Sequence, residues 1–348
     1  MVSFSTLASL LWLLTISSSA TASFTCTSQG TCDAIIDYTS PNATTFNAVK
    51  KLFHLKNLRS LLGVNNLPIN TPADQKLPAN QTIKIPFPCL CINGTGIANK
   101  WPTYTVVAGD FLSHIVSDIF AGLFTVKELQ AVNNIPNPDL IQPGDKLWIP
   151  LPCSCDDVEG EKVVHYGRLV TAGSTMDAIA QQYNVSQDTL LRLNGLASPK
   201  DLLAGSVLDV PLKACQSMVN NTSLDYPLLV PNDTYIFTAA NCVTCKCDAA
   251  NNWTLQCQPS QIKSSLWKTC PSMQCQGSDN FYIGNVTSSD CNSTACAYAG
   301  YSNQTIFSTS TQSTCPASDS NASGLRSGTW RWNIILVAIH LVLLSASY

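Results

Sequence analysis

Tandem βααβ units of mixed α+β class, clamped by disulfides and followed by a small cysteine-rich disulfide module, are what this sequence predicts. Three observations lead there. A motif recurs between cysteine landmarks, 16 cysteines divide into two even blocks, and apolar segments lie at both ends of the 348 residues.

The apolar stretch Leu7 to Ser17 precedes Ala20-Thr21-Ala22, a small-x-small cleavage site. Residues 1–22 therefore read as a signal peptide, with cleavage expected after Ala22 or Ser23, although no positive charge precedes the stretch. A secreted chain oxidises its cysteines. Six run from Cys26 to Cys155 and ten from Cys215 to Cys315, so each block can close internally. Zinc competes for the Cys-x-Cys pairs, but structural zinc sites favour longer spacing and thiolates. No metal and no cofactor are expected.

The repeat gives each unit its shape. In the unit 104–151, Tyr104-Thr105-Val106-Val107 is β-branched and aromatic, hence a strand. Gly109 permits a tight turn, and Asp110 is expected to cap the helix that follows. Thr125 opens a second helix with Leu129 and Val132 inward, and Asn134 ends it. Pro143-Gly144 turns the chain into a closing strand, Leu147-Trp148-Ile149. The unit 166–212 repeats this order. Ser174 or Thr175 caps its first helix, in which Met176, Ile179, Ala180 and Tyr183 recur at helical spacing. Thr189 is expected to open its second helix, Asn194-Gly195 to end it, and Val207-Leu208 to close the unit. A fainter copy lies within 26–88, with an insertion before Ile83. The segment 215–315 is a separate cysteine-rich module whose connectivity its spacing leaves open.

The C-terminal end carries small residues around Ser320 and Asn321, a spacer from Gly324 to Arg331, and an apolar tail from Asn333 to Leu344. This pattern directs replacement of the tail by a glycolipid (GPI) anchor. The propeptide is expected at 322–348, with attachment at Asn321 or Ser320. A membrane-spanning helix needs roughly 20 apolar residues, more than this tail supplies. Sequons at Asn42, Asn80, Asn93, Asn184, Asn220, Asn221, Asn232, Asn252, Asn285, Asn292, Asn303 and Asn321 imply a glycosylated ectodomain. Charged residues are only 12% of the chain and the net charge is −3, which argues against nucleic acid as a partner.

Tyr104-x-Val106-x-x-Gly109-Asp110, the Asn133-Asn134 pair, and Asp139-Leu140-Ile141-x-Pro143-Gly144-Asp145-x-Leu147-x-Ile149-Pro150 together resemble a LysM domain. The separators Cys89-Leu90-Cys91 and Cys153-Ser154-Cys155 resemble those of plant LysM receptors. With both end signals, the whole chain is similar to plant LysM-domain GPI-anchored proteins. The resemblance implies a pattern-recognition receptor of innate immunity on the outer face of the plasma membrane. Its ligands would be N-acetylglucosamine polymers, namely fungal chitin, bacterial peptidoglycan or both. Its signalling partner would be a transmembrane LysM receptor kinase. The glycan would lie between two loops of the unit 104–151. One is Gly109, Asp110, Phe111, Leu112, Ser113 and His114; the other is Ile135, Pro136, Asn137, Pro138, Asp139, Leu140 and Ile141. Phe111 stands where the family has Thr, either as a sugar-stacking face or as an inward hydrophobe. The resemblance also implies the pairings Cys26–Cys91, Cys32–Cys155 and Cys89–Cys153. Two alternatives remain at this level. One is a structural cell-surface or cell-wall protein whose units do not bind. The other is a cell-wall hydrolase, for which a Ser-His-Asp or Cys-His site is hard to place because His54, His114 and His165 all fall inside the repeat units.

Overall fold

A computed structural model of the protein describes residues 24–275, 279–289 and 292–313. The signal peptide, the anchor region with Ser320 and Asn321, and Cys291 and Cys315 lie outside the described residues. The described residues fall into two compact units, one within 24–285 with Ala295–Thr311, the other within 286–294 with 312–313.

Strand β1 (Phe24–Cys26) leads into the first βααβ unit: β2 (Gly30–Thr39), β3 (Thr44–Thr45), α1 (Phe46–Leu52), α2 (Leu58–Val64), β4 (Lys76–Leu77) and β5 (Thr82–Ile92). Strand β6 (Gly94–Ala98) joins it to the second unit, β7 (Thr103–Thr105), α3 (Leu112–His114), α4 (Val126–Asn133) and β8 (Lys146–Trp148). Helix α3 continues as a π-helical turn over Ile115–Ile119. The third unit is β9 (Val163–Leu169), α5 (Met176–Tyr183), α6 (Gln187–Leu193) and β10 (Val207–Lys213). The cysteine-rich module contributes β11 (Thr234–Thr238), β12 (Val243–Cys247) and β13 (Gln256–Pro259). Strand β14 (Val286–Ser289) belongs to the smaller unit, and β15 (Asn292–Tyr301) and β16 (Ile306–Ser313) follow.

One device recurs in all three repeats. The amide Nδ2 of an asparagine at the end of the second helix donates to a helix carbonyl and to a closing-strand carbonyl, while its Oδ1 accepts the strand N–H. Asn133 does this with Leu129 and Trp148, over 15 residues to the strand. Asn194 does it with Leu190 and Asp209, also over 15 residues. Asn65 does it with Leu61 and Lys84, over 19 residues. The insertion read before Ile83 is therefore four residues long, and the faint first copy is a complete βααβ unit.

Two capping assignments change. Asp110 does not cap α3; the N-cap is Phe111, which makes no side-chain cap bond. Thr189 lies inside α6, and Ser186 caps it by accepting the Thr189 N–H. Thr125 opens α4 with a reciprocal capping box to Glu128, and Thr175 caps α5, as the pattern required.

The units are not beads on a string. A six-stranded sheet runs β1-β6-β5-β2-β9-β10, so the first and third units share it. Its junction is parallel, with Ile35 opposite Tyr166 and Ile36 opposite Gly167. Beneath it the Tyr166 hydroxyl donates to Asp37 Oδ1 at 2.5 Å and the Leu169 N–H to Oδ2 at 3.1 Å. Burial nonetheless raises the Asp37 carboxyl above its usual range. The second unit keeps its own two-stranded ladder but merges its core with the first, where Phe53, Phe120 and Leu129 pack in one cluster. Cys26–Cys91 ties β1 to β5, while Cys32–Cys155 and Cys89–Cys153 link the first unit to the segment that follows the second, the pairing the resemblance implied.

The module holds Cys215–Cys247, Cys242–Cys270, Cys245–Cys257 and Cys275–Cys296. It rests on the first unit. The Tyr235 hydroxyl donates to the Leu67 carbonyl at 2.6 Å. A Cβ added at Gly63 of α2 would fall 2.1 Å from the Tyr235 carbonyl oxygen, so only glycine allows this approach.

Candidate functional site

The two expected loops of the second unit meet at their base. The Val106 N–H donates to the Asp145 carbonyl at 2.9 Å, and the Gly144 N–H to the Val106 carbonyl at 2.8 Å. Beyond that point each loop stands on its own bonds. In the first, Gly109 takes φ +94°, and the Asp110 carboxylate accepts the Val107 N–H at 2.8 Å and the Tyr104 hydroxyl at 2.9 Å. Burial and this carboxylate raise the Tyr104 phenol above its usual range. Asp110 is thus the internal strut of a turn, and its side chain is only 3% exposed. In the second loop, Asn137 Oδ1 accepts the Asp139 N–H at 3.0 Å and opens a short 3-10 turn over Pro138–Leu140. Gln130 Nε2 ties down the Ile135 carbonyl at 3.2 Å.

Exposure sorts the expected residues. Leu112 is buried in the core, and Ile135 and Ile141 are half-buried against it. Pro136, Asn137, Pro138 and Asp139 are exposed, as are Gly109 and Ser113. Three apolar side chains project to solvent: Val107 at 55%, Phe111 at 57% and Leu140 at 60%. His114 is half-buried, with Nδ1 2.8 Å from Asp118 Oδ2 and Nε2 3.7 Å from Asp110 Oδ1. Its ring lies 5.6 Å from that of Phe111.

The third unit has the same skeleton. The Val170 N–H donates to Ser206 at 2.9 Å and the Gly205 N–H to Val170 at 2.8 Å. The first unit does not keep its loops apart. Strands β3 and β4 pair Thr44 with Leu77 and Thr45 with Lys76, directly across the gap. The Asn47 N–H donates to Ala73 and the Asn80 N–H to Ser40, both at 2.8 Å. Asn42 and Asn80, both sequon residues, sit exposed on these laced loops. Sequence reasoning saw the insertion but not this lacing, because a two-residue ladder has no periodicity to detect. Of the other sequons, Asn93, Asn184, Asn220, Asn221, Asn252, Asn285, Asn292 and Asn303 are exposed and Asn232 is half-buried.

His165 is the one buried histidine among the described residues. Its Nδ1 lies 2.9 Å from both carboxylate oxygens of Asp209, and its Nε2 2.8 Å from the Asp156 carbonyl. Both acceptors are satisfied together only when both ring nitrogens carry N–H, which favours the imidazolium. Burial opposes that charge, but Asp209 and the Asp156 carbonyl outweigh it and raise the ring above its ordinary value. With both nitrogens occupied, it has none to activate a nucleophile. The sulfur clusters Cys26/Cys91/Cys155 and Cys32/Cys89/Cys155 consist of disulfide sulfurs, which are not thiolate ligands. Among the described residues no helix is long and apolar enough to cross a membrane.

A family model described as LysM domain matches residues 104–150 and 169–211. The chain is 47% identical over 345 residues to LysM domain-containing GPI-anchored protein 2 of Arabidopsis thaliana, covering 97% of this chain and 95% of that one. It is 40% identical over 333 residues to the chitin elicitor-binding protein of Oryza sativa subsp. japonica, covering 93% and 91% of the two chains. Among solved structures, the ectodomain of a receptor-like kinase aligns at 22% identity with a TM-score of 0.45, covering 54% of this chain and 94% of that one.

Proposed function

This chain belongs to the plant LysM-domain GPI-anchored proteins of the outer plasma-membrane face, and from that premise we propose that it is a chitin receptor reading through its second unit. The observation that carries the choice of unit is loop geometry. The second unit holds two loops apart above a shared base and presents Val107, Phe111 and Leu140 to solvent. The first unit laces the equivalent loops together. The unit 104–151 also contains none of the sequons, so no attached glycan starts within it.

Charge favours chitin over peptidoglycan. Asp110, Asp118, Glu128, Asp139 and Asp145 face only Lys127 and Lys146 within 104–151, a formal −3. A neutral N-acetylglucosamine polymer meets no repulsion there, whereas the carboxylates of a peptide stem do. The name of the rice relative agrees with this reading. Backbone groups of the loops bond the acetamido group, and the apolar side chains cover sugar C–H surface.

A glycolipid joined at Asn321 or Ser320 reaches the outer leaflet alone. Binding therefore becomes a signal laterally, through a membrane-spanning LysM receptor kinase. A repeating polymer offers equivalent sites to several receptors, so avidity rises with length without new contacts. Nothing in this mechanism requires turnover of the glycan. The test is calorimetric titration of the purified glycoprotein with chitin oligomers and with soluble peptidoglycan fragments, products being monitored by mass spectrometry. Binding of chitin without cleavage supports the proposal. Cleavage, or binding of peptidoglycan alone, overturns it.

A further inference from the structure

The three units can be superposed residue by residue through their closing strands. The strand residue clamped by asparagine lies opposite Asp37 in the first unit, Thr103 in the second and Gly167 in the third. Eight positions after each of these comes the N-cap of the unit's first helix: Thr45, Phe111 and Thr175. Thr45 accepts the Ala48 N–H and Thr175 accepts the Ala178 N–H. Phe111 accepts nothing. The next residue is buried in every unit, as Phe46, Leu112 and Met176. The backbone plan is therefore intact, and only the cap has been given up.

The residue that replaced the cap does not repay the loss inside the fold. Phe111 is 57% exposed, beside a core whose cap position threonine fills in both sister units. Its one ring contact is His114, 5.6 Å away at an interplanar angle of 39°. His114 is itself held from two sides, by Asp118 on Nδ1 and Asp110 near Nε2. Asp110 in turn is pinned by Tyr104 and Val107. The aromatic ring thus stands exposed on a braced support on the first of the two loops.

We infer that Phe111, buttressed by His114, is a sugar-stacking platform acquired in exchange for a helix cap, and that it makes the second unit the high-affinity reader. The inference rests on the functional reading above and adds the residue that decides it. A β-1,4-linked pyranose carries its ring hydrogens axially, so each face is a patch of C–H groups. Laid on an aromatic ring, that patch leaves water while the hydroxyls at its rim stay solvated.

Phe111→Thr supplies the cap that both sister units have and removes the platform, so its two effects have opposite signs. We expect Tm to rise by about 2 °C while affinity for soluble N-acetylchitooligosaccharides falls about tenfold. Phe111→Tyr keeps the ring and retains binding. The readouts are calorimetric titration and thermal unfolding of the full glycosylated protein. Wild-type binding that Phe111→Thr leaves unchanged overturns the platform alone. No binding by the wild-type protein overturns the functional reading and this inference together.

Discussion

In the first unit the two loops between strand and helix are laced to each other, whereas in the second they touch only at their base. The lacing uses the β3–β4 ladder and the bonds from Asn47 to Ala73 and Asn80 to Ser40. The first unit also shares a sheet with the third, a core with the second, and Gly63 with the module. It is a hub. The second unit has a short ladder of its own and leaves its loops free. The two share the asparagine clamp and one merged core, so neither fold nor core sets them apart. Loop length and one cap residue do. The first unit carries a four-residue insertion and laced loops, and the second carries Phe111 where its sisters carry threonine.

The largest test of this contrast removes what binds the two units together. Cys89→Ala with Cys153→Ala deletes a bridge across a separation of 64 residues, and should cost about 2–4 kcal/mol. Because the two units share one core, calorimetry should still record a single transition at lower temperature. Two separated transitions would show that the units are independent.

Next come the asparagine clamps, which should matter alike in hub and reader. Asn65→Ala and Asn133→Ala each strip three hydrogen bonds from buried or half-buried backbone. Each should destabilise by about 1–3 kcal/mol, measured by denaturant unfolding. A much smaller effect in the first unit would mean that its lacing has taken over the clamp's role.

A loop exchange sharpens the difference in function. Flexible Gly-Ser in place of Pro136-Asn137-Pro138 should weaken chitin binding about tenfold with secretion and disulfides intact. The same change at Pro68-Ile69-Asn70 of the first unit should leave affinity unchanged. Equal losses at both sites would assign ligand contact to the hub as well.

The smallest effect concerns pH and the third unit. His165 titrates above its ordinary value of 6.5 in the folded state because Asp209 and the Asp156 carbonyl hold its proton. Its stabilisation is fully present below the unfolded value and is lost as pH rises through the folded one. The transition temperature should therefore decline from mildly acidic to alkaline pH, and His165→Gln should flatten that slope. An unchanged slope in the variant would place the pH dependence elsewhere.

Much of the plan was legible in residues close together in the chain. Gly109, Thr125, Thr175 and Asn134 announce turns, caps and helix ends, because those structures bond over three or four residues. Asp110 misled for the same reason. An aspartate before a helix reads as a cap, and nothing local says that the Tyr104 hydroxyl and the Val107 N–H will claim it. Phe111 read equally well as inward or outward, because a single apolar residue at a helix start has no periodicity to place it.

By itself the sequence determined the repeat order, the second helix ending in asparagine, the oxidised cysteines and the family. Each follows from short-range pattern or residue identity. Only the tertiary structure decided that the first and third units form one sheet, that the insertion laces the first unit shut, and that Phe111 faces solvent. Those outcomes depend on backbone pairing between distant segments. Such pairing satisfies N–H and C=O groups that every residue carries, and so it leaves no mark of its own in the side chains.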